Sequence, residues 1–269
     1  MSPGVCGVAC APGRSAGPSA SSGYLSGSMT AKLLVIQHDD DTELGALEPA
    51  LRRHGVAPML IKPDDVDGAS IEGMHGLLVL GGVMHPDDPA RVLALERDLI
   101  AEAHEKGLPV LGVCLGSQLV SQACGGTAGP ASRTEIGWTP MTMCDASADD
   151  GLLAGVSAPT LFEWHSYCCT PPEGAAILAE NEVCVQAFRI GDQTWGIQFH
   201  VEVTPAIVAE WTVMGADDLA SEGVDPATLV DAPAETFERS MAVADLMADR
   251  FGALVAARSA RLAESSATA

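Results

Sequence analysis

Two short motifs, far apart in the chain, contain residue types that act together in covalent catalysis. The first is Gly112-Val113-Cys114-Leu115-Gly116, a G-x-C-x-G pattern that is the thiol counterpart of the G-x-S-x-G nucleophile elbow. The second is Phe199-His200-Val201-Glu202, in which a carboxylate follows a histidine by two positions. A cysteine nucleophile needs a base, and that base needs a third group to orient its imidazole. The two motifs together supply all three groups.

The setting of Cys114 distinguishes it from the other cysteines. A strand is predicted over residues 109–113 and a helix over residues 115–123, with no loop between them. A nucleophile at such a joint has a strained backbone, and side chains in place of the flanking glycines would collide with neighbouring elements. The helix N-terminus favours the thiolate, and the backbone N–H of Leu115 is placed to bind an oxyanion. The competing interpretation is a buried structural thiol, which we give to Cys124, Cys144, Cys168, Cys169 and Cys184.

The His165-x-x-Cys168 spacing, together with the adjacent Cys169, suggests a metal site or a redox switch as an alternative. Tetrahedral zinc would need two further ligands, and no nearby spacing supplies them. The sequence therefore favours structural thiols, and no metal is expected.

The elements around these motifs predict an α/β fold. From Lys32 onward, short apolar runs alternate with helical segments, which is typical of a mostly parallel sheet flanked by helices. The predicted strands cover residues 33–37, 58–61, 77–80 and 109–113, and the predicted helices cover 43–54, 87–104 and 115–123. After Gly125, short runs with turn signals predict mixed or antiparallel edge strands at 140–143, 160–164, 176–178, 183–190 and 195–199. Two helical stretches follow, at 206–214 and 234–257.

The chain has no internal linker that would divide it, so residues 30–260 are predicted to form one domain. Residues 1–28 are rich in Gly, Ser, Ala and Pro and are predicted to be a disordered N-terminal extension without the features of a secretory signal. Residues 261–269 are predicted to be a disordered tail.

Charge and cysteine usage exclude several function classes. Asp plus Glu number 36 against 14 Lys plus Arg, giving a formal net charge of -22 that would repel nucleic acid and anionic lipid. No apolar run approaches the roughly 20 residues of a membrane span. The eight cysteines include no C-x-x-C pair and are interpreted as reduced thiols of a cytoplasmic protein.

Taken together, the motifs resemble the class I glutamine amidotransferase domain, with G-x-C-L-G-x-Q at the nucleophile and F-H-x-E near the other end. The resemblance covers residues 32–205 and is greatest to stand-alone members similar to the amidotransferase domain of GMP synthase. Leu80-Gly81-Gly82 resembles the family's glycine loop, and Trp164-His165-Ser166-Tyr167 falls at the segment that lines its glutamine pocket. The resemblance implies a flavodoxin-like α/β sheet and a cofactor-free hydrolytic half-reaction.

The resemblance also implies residue roles. Cys114 would be the nucleophile, His200 the general base and later acid, and Glu202 its orienting group. The backbone N–H groups of Leu115 and Gly82 would bind the oxyanion. Substrate binding would involve Gln118 and the backbone near Ser166 and Tyr167.

Three functions remain open at this point. The first is hydrolysis of glutamine, with ammonia passed to a separate synthetase, because no phosphate-binding G-x-x-x-x-G-K-[ST] loop is present and the segment after Pro205 is too short for an acceptor-activating domain. The second is hydrolysis of a larger γ-glutamyl compound, which would depend on a pocket around His85, Trp138 and Tyr167. The third is a non-catalytic regulatory or binding module that retains the fold.

Overall fold

The computed structural model describes residues 31–267, so the predicted N-terminal extension lies outside the described residues. The first half of this range alternates strands and helices as predicted. Its elements are β1 (Ala31–Ile36), α1 (Glu48–Arg53), β2 (Val56–Ile61), β3 (Gly76–Val79), α2 (Arg91–Glu105), β4 (Val110–Val113) and α3 (Leu115–Ala123). The second half contains β5 (Thr127–Pro140), β6 (Thr142–Met143), β7 (Thr160–Thr170), β8 (Ala176–Glu180), β9 (Val185–Ile190), β10 (Thr194–Ile197), α4 (Pro205–Met214), α5 (Ala216–Glu222), α6 (Ala227–Val230) and α7 (Ala234–Ala267).

An eight-stranded sheet with the order β2-β1-β3-β4-β10-β9-β8-β6 forms the centre of the fold. Strands β2, β1, β3, β4 and β10 are parallel, and β9, β8 and β6 extend one edge in antiparallel fashion. This arrangement confirms the predicted mostly parallel sheet with antiparallel edge strands. Because β1, β3, β4 and β10 are parallel, the segments after them emerge at the same edge of the sheet.

A separate antiparallel ribbon of β5 and β7 lies outside this sheet. The sequence predicts only the start of β7 and none of β5 before residue 140, since β5 contains Gly, Pro and many polar residues that are uncommon in strands. The ribbon reaches the central sheet where the backbone N–H of His200 donates to the carbonyl of Phe162 at 2.8 Å.

Two helix starts differ from the predictions for a reason visible in the sequence. Helix α1 begins at Glu48 after a 3-10 turn, because Pro49 fits the first turn of a helix and not its interior. Helix α2 begins at Arg91 instead of residue 87, because Pro89 disfavours helical geometry in the residue before it.

The terminal helix α7 corrects the prediction of a disordered tail. It continues to Ala267, so residues 261–267 are helical. Its buried face contains Phe251 and Val255 and packs against α1 and β1 on one face of the sheet. Helices α2 and α3 pack together on the other face. None of the helices described over residues 31–267 is both long and apolar enough to cross a membrane.

Candidate active site

Three parallel strands deliver the predicted chemical groups to one edge of the sheet. The glycine loop follows β3, Cys114 follows β4 directly, and His200 follows β10. Cys114 and His200 are 86 positions apart in the chain. They become neighbours because β4 and β10 are adjacent parallel strands that end side by side.

Cys114 has the strained backbone that its motif predicts. Its φ of 51° and ψ of -110° lie outside the regions that non-glycine residues prefer, at a cost of roughly 1–3 kcal/mol. A Cβ at Gly116 would lie 2.1 Å from the carbonyl oxygen of Val79, and one at Gly112 would lie 2.4 Å from that of Gly116. The glycines are therefore required by close backbone approach, as predicted.

His200 and Glu202 form a buried pair beside Cys114. Nδ1 of His200 lies 2.7 Å from Oε1 of Glu202, and both side chains are almost wholly excluded from solvent. Burial alone would lower the pKa of His200, but electrostatic interactions and hydrogen bonds with Glu202 and Cys114 hold that pKa well above its usual value. Since Nδ1 faces Glu202, Nε2 is the ring nitrogen left for Cys114.

The predicted substrate-binding residues surround a cleft of about 470 Å³ that opens over Cys114. Its walls include Gly82, Leu115, Gln118, Ser166 and Tyr167, all of which the sequence proposes for the site. The Leu115 N–H opens helix α3 and has no acceptor within that helix, which leaves it free to face the cleft.

Gln118 lines the cleft and connects two segments next to it. Its side-chain amide donates to the carbonyl of Tyr167 at 2.9 Å and to Oε1 of Gln198 at 3.1 Å. The Tyr167 ring stacks on His85, with ring centroids 4.2 Å apart, at the rim of the cleft. Trp138, by contrast, does not line this cleft, because it packs edge-on against Phe162 and Phe237.

Comparison with known proteins identifies the family of this chain. Residues 42–208 match the profile of the family "Glutamine amidotransferase class-I". This chain belongs to the class I glutamine amidotransferase family.

The relatives of this amidotransferase domain include both short and long proteins. It is 31% identical over 173 residues to the glutamine amidotransferase-like protein YfeJ of Salmonella typhimurium, covering 62% of this chain and 68% of that protein. It is 35% identical over 137 residues to a GMP synthase [glutamine-hydrolyzing] of Porphyromonas gingivalis, covering 49% of this chain but only 26% of that protein. The chain thus spans about a quarter of the synthase that it matches.

The fold of the amidotransferase domain also matches a solved structure. A crystal structure of a glutamine amidotransferase from Thermotoga maritima has a TM-score of 0.74 and 24% sequence identity, covering 84% of this chain and 98% of that one. At this identity the comparison establishes the fold.

Sequence analysis did not find a buried pair of polar residues, His38 and Glu96, behind the glycine loop. His38, after β1, places Nδ1 2.9 Å from the carbonyl oxygen of Gly81 and Nε2 2.9 Å from Oε2 of Glu96. A Cβ at Gly82 would lie 2.6 Å from that of His38. Two signals were available in the sequence: a polar residue at the carboxyl end of a parallel strand, and a glutamate on the apolar face of α2 beside Leu93 and Leu99.

Two other thiols, Cys124 and Cys169, lie in environments that disfavour the thiolate. Burial raises the pKa of Cys124 to about 11. Burial also raises the pKa of Cys169 to about 12. Both thiols therefore stay protonated near neutral pH, in agreement with the structural role that the sequence predicts.

Proposed function

We propose that this protein hydrolyses the γ-carboxamide of glutamine through Cys114, His200 and Glu202 and supplies ammonia to a separate synthetase. The observation that carries the proposal is the position of Cys114 on a strained elbow beside the buried His200–Glu202 pair. Such an arrangement provides a nucleophile, a proton carrier and an orienting carboxylate within one site.

In the first step, Sγ of Cys114 attacks the γ-carbonyl carbon of the substrate. The carbonyl oxygen becomes an oxyanion that accepts hydrogen bonds from the backbone N–H groups of Leu115 and Gly82. The C–N bond then breaks, and the His200 imidazolium gives its proton to the departing nitrogen, which leaves as ammonia.

In the second step, the γ-glutamyl thioester is hydrolysed. Neutral His200 takes a proton from water, and the resulting hydroxide attacks the thioester carbonyl. The C–S bond breaks and releases the Cys114 thiolate beside the imidazolium that already carries the proton from water, and the new γ-carboxyl group loses its proton to solvent as glutamate leaves. Glu202 keeps Nδ1 occupied throughout, so that Nε2 carries each proton.

Longer relatives support the part of the proposal that concerns the partner. The GMP synthase of Porphyromonas gingivalis is named as glutamine-hydrolyzing, and this chain matches 26% of its length. We assign to a separate protein the part of that synthase that the match does not cover. The hydrolytic half-reaction proposed for this chain uses no cofactor, and neither a nucleic acid nor a membrane is proposed as its partner.

A larger γ-glutamyl compound is the second candidate substrate. The cleft extends past Cys114 to Thr134, Asp218 and Glu222, and a volume of about 470 Å³ falls within the range of pockets that take drug-sized ligands. This extension favours a substrate whose leaving group is larger than ammonia.

The decisive experiment measures glutamate release from glutamine and from a panel of γ-glutamyl peptides and amines. The wild type is compared with Cys114→Ala and with the matched control Cys124→Ala, which removes a half-buried thiol at the end of α3. We expect Cys114→Ala to lower kcat by about 10⁴-fold or more and Cys124→Ala to retain activity.

Substrate preference then separates the two candidates, because glutamine and an extended γ-glutamyl substrate release different amines. A glutamine-like electrophile labels Cys114 if the site is competent, even where turnover awaits the synthetase. No turnover and no labelling would contradict the proposal and favour a non-catalytic module.

A further inference from the structure

Behind the substrate cleft, three metal-binding residue types converge from three separate segments. They are Glu135 of β5, His165 of β7 and Cys184, which directly precedes β9. One ligand atom of each lies within 4.8 Å of the ligand atoms of the other two. Glu135 and His165 are buried, and Cys184 is half-buried.

The polar atoms of this cluster are incompletely satisfied among the described residues. Neither carboxylate oxygen of the fully buried Glu163 has a hydrogen-bond partner there, and neither does Nε2 of His165. Nε2 of His165 lies 3.0 Å from Oε2 of Glu163 and 3.3 Å from Oε2 of Glu135, which are ion-pair distances when the imidazole is protonated. Buried charged groups without such bonds are costly unless a cation or metal compensates them.

A fourth donor lies next to the cluster. Cys168 of β7 lies within electrostatic range of Cys184, His165 and Glu135, outside the group of three residues whose ligand atoms all lie within 4.8 Å of one another. An imidazole, a carboxylate and two thiols are a donor set suited to tetrahedral zinc. Sequence analysis identified only His165 and Cys168 as a possible metal-binding pair, because Glu135 and Cys184 lie in distant parts of the chain.

Neighbouring side chains hold the carboxylate ligand in place. The Nδ2 of Asn181 donates to both oxygens of Glu135, at 2.8 and 3.1 Å, and Nε2 of Gln186 donates to Oε2 at 3.2 Å. On the opposite side, Nδ1 of His165 lies 3.0 Å from the carbonyl of Tyr167, which leaves Nε2 directed into the cluster. Such outer contacts are typical of metal sites because they fix each ligand's orientation.

We propose that Glu135, His165, Cys168 and Cys184 bind one zinc ion with a structural role. The ion would join the pocket strand β7 to β5 and to the segment before β9, and so fix the Tyr167 carbonyl that Gln118 also contacts. No step of the proposed hydrolysis passes through the metal, and this inference does not depend on that hydrolysis.

The alternative arrangement is an ion pair without metal. Burial lowers the pKa of His165, but the carboxylates of Glu135 and Glu163 outweigh it and raise that pKa to about 10. In that arrangement a protonated imidazole balances the two glutamates. Metal content distinguishes the two arrangements directly.

The test uses the full chain carrying Cys114→Ala, so that the thiol proposed as the nucleophile cannot contribute to metal binding. The protein is purified with a phosphine reductant, supplied with Zn²⁺, passed over a chelating resin and measured by inductively coupled plasma mass spectrometry. We expect one zinc per chain. Adding Cys184→Ala should abolish retention, whereas adding Cys144→Ala, which removes a half-buried thiol outside the cluster, should leave it unchanged.

Two further readouts distinguish loss of metal binding from misfolding of one variant. Zn²⁺ should raise the Tm of the Cys114→Ala chain and of its Cys144→Ala derivative but not of its Cys168→Ser derivative. Co²⁺ should give a thiolate-to-cobalt charge-transfer band that Cys168→Ser weakens. Absence of bound zinc in the Cys114→Ala chain, or equal retention after Cys184→Ala, would overturn the proposal in favour of the ion pair.

Discussion

Nδ1 of His200 lies 2.7 Å from Oε1 of Glu202, and a single buried residue, Val201, separates them in the chain. The second carboxylate oxygen of Glu202 is buried and has no hydrogen-bond partner among residues 31–267. The carboxylate is therefore committed to the imidazole.

Glu202→Gln should change the pH dependence of catalysis. Burial favours neutral His200, and the Glu202 charge opposes burial, so that removing the charge lowers the pKa of His200 toward and below its usual value. The imidazolium is then lost at lower pH, and the alkaline limb of the kcat/KM profile moves to lower pH. We also expect kcat to fall by roughly 10²–10⁴-fold. The exposed Glu210→Gln should leave the profile unchanged, and an unshifted limb in Glu202→Gln would contradict this role.

Gly81→Ala should damage catalysis more than folding. The added Cβ would lie 3.0 Å from Cε1 of His200 and 3.4 Å from Cβ of Cys114, which displaces His200 from Cys114. We expect kcat to fall by about 10²-fold, as is common for a displacement of about 1 Å at a reacting centre. Gly68→Ala, where the new Cβ meets nothing within 4 Å, is the matched control. Equal kcat in the two variants would rule out this packing argument.

His38→Ala should weaken both stability and the glycine loop. It removes the partner of buried Glu96 and the group that contacts the Gly81 carbonyl, at a cost of at least about 1–3 kcal/mol in the free energy of unfolding. A positioning role predicts a lower kcat with KM little changed.

The double variant His38→Ala/Glu96→Leu separates position from stability. Replacing the unpaired carboxylate with an apolar side chain should restore much of the stability that urea denaturation measures, while kcat stays low. Recovery of kcat together with stability would show that the pair acts only on folding.

Phe251→Ala should test the contribution of the long terminal helix to the core. Phe251 is 1% exposed and packs against the central sheet, so that its truncation should lower the free energy of unfolding by about 3–5 kcal/mol. Leu262→Ala, at a position that is 44% exposed, should change it by no more than about 0.5 kcal/mol. Urea unfolding of both variants checks this, and equal effects would contradict core packing by α7.

Local sequence patterns were sufficient to predict the elements whose conformation is determined within one segment of the chain. The apolar runs of β3 and β4, the abrupt joint at Cys114 and the glycines around it all follow from short-range sterics and hydrophobic periodicity. The helix after Cys114 has the predicted bounds of residues 115–123. The polar, Gly- and Pro-containing strand β5 lacked such a pattern, because its conformation depends on pairing with β7.

The sequence by itself determined the fold class, the family and the residues proposed for hydrolysis, since these depend on motifs that remain contiguous in the chain. Only the tertiary structure decided which distant side chains meet. Parallel pairing brings His200 beside Cys114, and the β5–β7 register sets Glu135 opposite His165. His38 and Glu96, 58 residues apart, meet in the same way. Contacts of this kind depend on strand order and register, which short-range propensities do not encode.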